Sequence, residues 1–279
     1  MTVTPSISIV IRVRNEAASL KTVLCAIRAQ AIQPVDIVIV DNASTDGTRE
    51  LVESYGAKVL GISKEEFTYG RALNRGIRAA EGEYIVILSA HALPVGADFL
   101  GRAVEPFHDP LVAAVRCLHV GNRDELRAWM ESRMLDLTSS LRAVTSSGPV
   151  ACACAIRKRV WETIPFDEKV TAIEDKLWAL DVLKSGYRIA NSQALYLYLR
   201  DIGLFENLAK MNRDRLEYFR ATGVTWQEPP VSMKRLLASL FYHTPRRALR
   251  TAAQQTLLYA YLKTIPLQAR RKPKLGSIR

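Results

Sequence analysis

Residues 35–48 read VDIVIVDNASTDGT. The first six residues are apolar apart from one aspartate, and the remainder are mostly polar and include a glycine. A short apolar run without polar alternation is typical of a strand buried on both faces. The polar run contains residue types that favour turns and helix starts. The stretch therefore predicts a strand over 35–40, a loop over 41–48 and a helix over 48–55.

The flanking sequence repeats this alternation of strand and helix. Apolar runs of strand length occupy residues 6–11, 58–62 and 83–88, and helical spacing predicts helices that start near Asn15 and that cover 69–80. Continuously apolar strands that alternate with helices predict an α/β fold with a mostly parallel sheet flanked by helices. Ligands bind at the carboxyl ends of the strands in such sheets, so the loops there should converge on one site. These loops comprise residues 12–16, 41–48 and 89–94.

The second half of the sequence has a less regular pattern. Residues 124–143 favour a helix or a broken helix, and residues 150–156 favour a strand of small residues. A further helix is predicted over 176–184. Two short strands are predicted over 187–190 and 194–199.

The composition of the 279 residues excludes several classes of protein. With 48% hydrophobic residues, the chain is too apolar for a disordered protein. Four cysteines are too few for a disulfide-stapled scaffold, and we expect Cys152 and Cys154 to be buried thiols rather than metal ligands. No targeting signal or apolar run of about 20 residues is visible, which favours a cytoplasmic protein.

The net charge of +11 is concentrated at one end of the sequence. Residues 1–204 contain 24 basic and 24 acidic residues, whereas residues 205–279 contain 15 basic and 4 acidic ones. No acidic residue follows Glu228, and helical spacing is present over 231–243 and 246–264. The sequence thus predicts a main domain over 1–204 and a helical basic C-terminal extension over 205–279.

A basic amphipathic extension is compatible with three roles. It suits binding to an anionic membrane surface, packing against the main domain, or binding to nucleic acid. The sequence has no nucleic-acid-binding motif, so we expect no nucleic-acid partner. The favoured interpretation is a peripheral protein on the inner face of the cell membrane.

Four motifs follow one another along residues 6–200. They are Arg14-Asn15-Glu16 after the first strand, VDNASTDGT at 40–48, GRALNRGI at 70–77 with GEYIVILSAH at 82–91, and EDKLW at 174–178 followed by Gly186-Tyr187. In this order they resemble the family 2 glycosyltransferases, which have the GT-A fold. Residues 67–74 and 92–94 are most similar to the rhamnosyltransferase-like branch of that family.

The resemblance implies an enzyme that transfers a hexosyl or deoxyhexosyl group with inversion. The donor would be a nucleotide-diphosphate sugar, with UDP or dTDP favoured, and the acceptor a hydroxyl of a glycan or lipid-linked molecule in cell-surface polysaccharide synthesis. Residues 1–115 would bind the donor and residues 116–204 the acceptor. The alternative is a non-catalytic relative that only binds a nucleotide-sugar or a partner, but the retained Glu174-Asp175 pair argues against it.

The resemblance also implies roles for individual residues. Asp175 would be the general base, with Glu174 beside it, although both carboxylates also suit the start of a helix. Asp41 would bind the nucleobase or ribose, or would instead cap the next helix. The implied nucleotide-sugar-binding residues are Arg12, Arg14, Glu16, Asp41, Arg71, Asn74, Ser89 and Ala90.

The sequence departs from the family at Ser89-Ala90-His91, where the resemblance implies Asp-x-Asp or an Asp at the third position. His91 is therefore the candidate ligand for Mn²⁺ or Mg²⁺, but carboxylates suit these ions better than imidazole does. The family's later metal-binding histidine has no counterpart in 194–200, which reads ALYLYLR. The alternative is a metal-independent site in which arginines partly replace the metal. The candidates are Arg12, Arg14, Arg71 and Arg200.

Overall fold

The computed structural model describes residues 5–120, 134–136, 149, 151–200 and 204–223. The predicted helices over 231–243 and 246–264 lie outside these ranges, and the predicted domain boundary after residue 204 stays a prediction. Within the described ranges, no helix combines the length and the apolar character that a membrane crossing needs.

Strands and helices alternate along the first half of the chain. The strands are β1 (Ile7–Val13), β2 (Asp36–Asp41), β3 (Lys58–Gly61), β4 (Tyr84–Ser89), β5 (Ala92–Pro94), β6 (Val112–His119), β7 (Met134–Leu135), β8 (Ala153–Arg157) and β9 (Arg188–Tyr198). The helices are α1 (Ala17–Arg28), α2 (Thr48–Ser54), α3 (Tyr69–Ala79), α4 (Phe99–Val104), α5 (Lys158–Thr163), α6 (Glu174–Lys184) and α7 (Leu204–Thr222), with a 3₁₀ helix at Glu105–His108.

The strands of the described ranges form one sheet. Its order is β3-β2-β1-β4-β8-β6-β9-β5, and β7 pairs with β9. The first four strands in this order are parallel. Beyond them the sheet is mixed, because β8 is antiparallel to both β4 and β6 while β6 and β9 are parallel. The predicted α/β fold is confirmed, and its parallel part is the half that precedes β8.

Apolar side chains cover both faces of the sheet. Along β1, Ile9 and Ile11 pack on the side of α1, whereas Val10 packs on the side of α3. All three side chains are fully buried, as expected of a strand between two helical layers. Helix α1 buries apolar residues spaced three or four positions apart, which is the helical period. They are Leu20, Val23, Leu24 and Ile27.

Two glycines allow α3 to approach its neighbours closely. A Cβ atom on Gly76 would lie 2.5 Å from Val10 Cγ1, and one on Gly70 would lie 2.3 Å from the carbonyl oxygen of Asp167. Both distances are shorter than carbon contacts allow. These glycines therefore seat α3 between the sheet and the segment that leads towards α6.

The structure corrects three predictions for the second half. The two short strands predicted between 187 and 199 are one strand, β9. The helix predicted over 124–143 is wrong at Met134–Leu135, which form β7; the remainder of that range, apart from Asp136, lies outside the described residues. The strand predicted from residue 150 begins at Ala153. The strands β7 and β9 pair with segments distant in the sequence, and such pairing leaves no local pattern from which it could be predicted.

Candidate active site

An open cavity of about 730 Å³ lies at the carboxyl ends of β1, β2 and β4. This is the sheet edge at which the sequence predicts that the loops converge. Among the described residues, its lining consists of Arg12, Val13, Arg14, Glu16, Asn42, Phe67, Tyr69, Ser89, Ala90, His91, Ala151, Cys152, Ala172, Ile173, Glu174, Asp175, Lys176, Tyr198, Arg200, Lys210, Arg213 and Asp214.

The cavity brings together most of the residues singled out from the sequence. The predicted residues on its wall are Arg12, Arg14, Glu16, Ser89, Ala90, His91, Glu174, Asp175 and Arg200. Asp41, Arg71 and Asn74 are not among its described lining residues. The lining includes six cationic and four carboxylate side chains, so it has an excess of positive charge that suits an anionic ligand.

Arg12 connects the end of β1 to the start of α6. Its Nη1 atom donates to Glu174 Oε1 at 3.0 Å, and its guanidinium lies 4.7 Å from the centre of the Tyr69 ring. Burial raises the pKa of the Glu174 carboxyl, an effect that the neighbouring Arg12 charge opposes. Since Glu174 is nearly inaccessible and already paired, its contacts suit a residue that holds the site together.

Asp175 presents its carboxylate at the cavity wall from the first turn of α6. Its Oδ2 accepts a hydrogen bond from the Ala151 backbone N–H at 2.8 Å, and its Oδ1 accepts one from the Lys176 N–H at 2.8 Å. Ile173, the residue just before α6, has φ 60° and ψ 20°, a left-handed conformation that is unfavourable for a β-branched residue. Such strain is typical of functional sites, where surrounding contacts hold an unusual backbone in place.

Helix α7 completes one side of the cavity. Lys210, Arg213 and Asp214 are lining residues, and Lys210 Nζ lies 2.7 Å from an Asp214 carboxylate oxygen. On the same helix, buried Tyr218 packs against Ala172 and Ile173. A segment that the sequence assigns to the C-terminal extension thus contributes charged groups to the site.

The loop after β2 positions Asn42, rather than Asp41, at the cavity. Both Asp41 carboxylate oxygens lie 3.3 Å from the Ser44 backbone N–H, which donates to them. Asn15 Oδ1 accepts from the Thr45 N–H at 2.8 Å and so ties the loop after β1 to this one. Asp41 therefore shapes the loop whose next residue reaches the cavity wall.

Arg71 and Asn74 form a separate structural cluster with Glu168. Asn74 Nδ2 donates to the Phe166 carbonyl at 2.8 Å and to Glu168 at 3.0 Å. Its Oδ1 accepts from Trp161 Nε1 at 2.8 Å and from the Phe166 N–H at 3.1 Å. Arg71 Nε lies 3.2 Å from Glu168 Oε2. These contacts join α3 to the segment before α6, away from the cavity wall.

His91 lies in a cluster formed by Glu16, Tyr198 and Arg200. Its Nε2 is hydrogen-bonded to the Tyr198 hydroxyl at 2.7 Å, and its Nδ1 lies 3.6 Å from Glu16 Oε1. Arg200 Nη1 lies 3.9 Å from that same glutamate oxygen. Burial lowers the pKa of the His91 imidazole, which the Glu16 charge opposes.

Three buried polar atoms on cavity-lining residues have no hydrogen-bond partner within the described part of the chain. They are Asn42 Oδ1, Ser89 Oγ and His91 Nδ1. Buried polar atoms nearly always have partners, and leaving one without any costs about 1–3 kcal/mol. Their concentration at the ends of β2 and β4 makes this part of the cavity the best candidate for a polar ligand.

The residues around His91 do not fit a Mn²⁺ or Mg²⁺ ion held by protein side chains. These ions prefer oxygen ligands, and Glu16 is the carboxylate that the structure places in contact with His91. Arg200 approaches the same carboxylate oxygen and would repel a cation there. Across the described ranges, no group of three His, Cys, Asp or Glu side chains could hold a metal.

Sequence reasoning missed several lining residues. Tyr198 lies within the predicted strand 194–199, but its position beside His91 depends on the pairing of β9 with β5, which leaves no local pattern in the sequence. Asn42 could have been predicted, since it directly follows Asp41, the residue that the sequence indicates as a nucleotide ligand. Lys176, Phe67 and Tyr69 lie within the quoted motifs or beside them, but their residue types alone did not indicate a ligand.

Solved structures with this fold confirm the GT-A architecture. A mannosyltransferase of Pyrobaculum calidifontis, in complex with GDP-mannose and Mn²⁺, has a TM-score of 0.64 and 24% identity, over 96% of this chain and 79% of that one. Glucosyl-3-phosphoglycerate synthase of Mycobacterium tuberculosis, with Mn²⁺, UDP and phosphoglyceric acid, has a TM-score of 0.60 and 20% identity, over 80% of each chain.

Related sequences point to the same family. An O-antigen chain rhamnosyltransferase of Salmonella anatum is 27% identical over 59% of this chain and 56% of its own length. One of Salmonella typhimurium is 24% identical over 66% of this chain and 63% of its own length. The chain thus spans about 60% of these relatives. The sequence profile described as Glycosyl transferase family 2 matches residues 8–164, more than half of the chain, and the protein belongs to that family.

Proposed function

We propose that this protein transfers a sugar from a nucleotide-diphosphate sugar to a hydroxyl of a glycan or lipid-linked acceptor, with inversion. The observation that carries this proposal is the combination, in one cavity, of the Asp175 carboxylate with cationic side chains from the ends of β1 and β9. A carboxylate suits the acceptor hydroxyl, and arginines suit the diphosphate leaving group. Family membership and the GT-A fold support the same chemistry.

In the proposed reaction, Asp175 takes the proton of the acceptor hydroxyl as its oxygen attacks the anomeric carbon. The bond between that carbon and the diphosphate oxygen breaks, and the electron pair stays on the diphosphate. A single displacement from the opposite face inverts the anomeric configuration. The hydrogen bonds from Ala151 N–H and Lys176 N–H fix the orientation of the Asp175 carboxylate for this step.

We further propose that the donor is a UDP- or dTDP-linked hexose or deoxyhexose, used in cell-surface polysaccharide synthesis. The support is the similarity to two enzymes named as O-antigen chain rhamnosyltransferases. The unpartnered Asn42 and Ser89 atoms are available to donor groups at the ends of β2 and β4. In this proposal Asp41 supports nucleotide binding indirectly, because it shapes the loop that carries Asn42.

The test combines binding with turnover. Calorimetry with UDP, dTDP and GDP, each with Mn²⁺, Mg²⁺ or EDTA, identifies the nucleotide, and Asn42→Ala should weaken its binding. A panel of nucleotide-sugars with that nucleotide is then assayed for diphosphate release in the presence of glycan acceptors. We expect Asp175→Asn to bind the nucleotide normally and to lose about 10²–10⁴-fold in turnover.

The outcomes separate the two candidate functions. Binding with acceptor-dependent turnover that Asp175→Asn abolishes supports the transferase. Binding without turnover of any nucleotide-sugar supports the alternative, a non-catalytic relative that binds a nucleotide-sugar or a partner. No binding of any of the three nucleotides would contradict the donor site itself.

We also propose that the protein acts at the inner face of the cell membrane through its basic C-terminal segment. The support is the charge distribution, since eleven basic residues and no acidic ones follow Glu228. Flotation with vesicles that contain phosphatidylglycerol should carry the protein, whereas neutral vesicles should not. Replacing Arg270, Arg271, Lys272 and Lys274 by glutamine should reduce flotation. Equal binding to both vesicle types would contradict this proposal.

A further inference from the structure

The end of β9 is attached to the loop that carries His91. The Leu199 backbone N–H donates to the His91 carbonyl at 2.8 Å, and the Tyr198 hydroxyl is hydrogen-bonded to His91 Nε2 at 2.7 Å. The Tyr198 and His91 rings also meet edge to face, with their centres 4.5 Å apart. These contacts hold Arg200, the next residue after Leu199, beside the carboxyl end of β4.

Arg200 has the exposure and the reach of a ligand-binding cation. Its side chain is 46% exposed and lines the cavity. Its contact with Glu16 is 3.9 Å long, which is the outer limit of an ion pair. A pair this long and this exposed contributes little to stability, so the contact with Glu16 does not by itself keep the guanidinium from an anionic ligand.

The immediate surroundings of His91 favour an anion over a cation. The Nδ1 atom lies 3.6 Å from Glu16 Oε1, and Arg200 Nη1 lies 3.9 Å from the same oxygen, so an ion near Nδ1 would also lie near the Arg200 guanidinium. The single Glu16 charge is offset by Arg200, and Arg14 adds a further positive charge to the same cavity wall. A dication would therefore find no excess negative charge here, whereas a diphosphate would find guanidinium groups.

We propose that Arg200 binds the diphosphate of the donor directly and that nucleotide binding by this chain needs no divalent metal. In this arrangement, Tyr198 is a positioning residue that fixes His91 and the end of β9. The solved relatives, in contrast, hold Mn²⁺ together with their nucleotide. The inference rests on the proposed donor site and goes beyond it by naming the group that neutralises the diphosphate.

The test compares UDP, dTDP and GDP with their monophosphates, UMP, dTMP and GMP, by calorimetry on the full chain. Each titration is made in EDTA and again in MnCl₂. The variants are Arg200→Ala, Arg200→Lys and the control Arg188→Ala. Arg188 lies at the opposite end of β9, is 43% exposed and pairs with Asp109 at 3.2 Å, which matches Arg200 in exposure without reaching the cavity.

We expect the wild-type protein to bind one diphosphate in EDTA with an affinity that MnCl₂ changes less than about twofold. Arg200→Ala should weaken that diphosphate about tenfold or more, the loss expected for a charge-assisted hydrogen bond, and should leave the monophosphate nearly unchanged. Arg200→Lys should recover part of the loss, and Arg188→Ala should bind like the wild type. Unchanged monophosphate binding also shows that the variant is folded.

Two results would overturn the inference while leaving the donor site intact. One is wild-type diphosphate binding that disappears in EDTA and returns with MnCl₂. The other is an Arg200→Ala variant that loses monophosphate and diphosphate affinity equally. Failure of all six nucleotides to bind in either buffer would instead contradict the proposed donor site, and the inference with it.

Discussion

Arg12 Nη1 lies 3.0 Å from Glu174 Oε1, and the two side chains are only 15% and 6% exposed. The pair joins the penultimate residue of β1 to the residue next to Asp175. Because the partners are 162 positions apart in the sequence, the contact fixes the proposed base relative to the donor side of the cavity. Its loss should therefore affect both stability and geometry.

Replacing Arg12 by alanine should lower the free energy of unfolding by about 3–5 kcal/mol, because it leaves a buried carboxylate without its partner. Urea unfolding followed by circular dichroism measures this change. The control is Arg49→Ala, which removes an exposed i,i+4 pair with Glu53 and should cost less than about 1 kcal/mol. Equal effects of the two substitutions would contradict a buried role for Arg12.

The pKa of Glu174, raised by burial above the ordinary value of 4.5, should make stability depend on pH. The folded protein holds this proton more tightly than the unfolded chain does. The stabilisation from this group is thus present below pH 4.5 and is lost as the pH rises through the folded-state pKa. As the pH rises above 4.5 and through the folded-state pKa, the wild type should lose stability relative to Glu174→Gln. Unfolding curves at several pH values measure this difference. The control variant Glu53→Gln, at an exposed site, should show the same pH dependence of stability as the wild type.

Asn74 and Arg71 should differ in their effects on stability. Asn74→Ala leaves Trp161 Nε1 and the Phe166 backbone groups without a side-chain partner, so we expect a loss of about 2–4 kcal/mol. Arg71→Ala breaks a half-exposed pair with Glu168 and should cost about 1 kcal/mol or less. Thermal unfolding and UDP titration measure both variants. Weaker UDP binding by a folded Arg71→Ala protein would support the nucleotide-binding role that the family resemblance implies.

The cysteines should report on occupancy of the cavity. Cys152 lines the cavity and Cys25 is exposed elsewhere, while Cys117 and Cys154 are buried. Burial also raises the pKa of Cys117 to about 12, which suppresses its thiolate. Iodoacetamide should therefore modify Cys25 and Cys152 in the native protein. A bound nucleoside diphosphate should slow the modification of Cys152 and leave the modification rate of Cys25 unchanged. Peptide mass spectrometry measures both modification rates. An equal decrease in the rate at Cys25 would contradict protection of Cys152 by a nucleotide bound in the cavity.

The features that could be predicted from the sequence are those with local patterns. The apolar strand and polar loop at 35–48 occupy the predicted positions, and the cavity lies where the strand ends predicted it. Contacts across the sheet could not be predicted in this way. The position of Tyr198 beside His91 depends on the pairing of β9 with β5, and the hydrogen bonds of Asn74 depend on how closely α3 packs. A residue type at a motif position does not reveal which neighbours it contacts.

The left-handed backbone of Ile173 has a consequence for protein engineering. This conformation costs about 1–3 kcal/mol and would suit glycine, yet an isoleucine stands there and packs against Tyr218 of α7. The apolar contact holds the peptide that precedes Glu174 and Asp175 in its strained form. A shortened protein that stops at residue 204, where the acidic and basic residues balance, would lack Tyr218. We expect it to keep the sheet while its Asp175 carboxylate loses its fixed orientation, so any shortened protein used to test the proposed transfer should include α7.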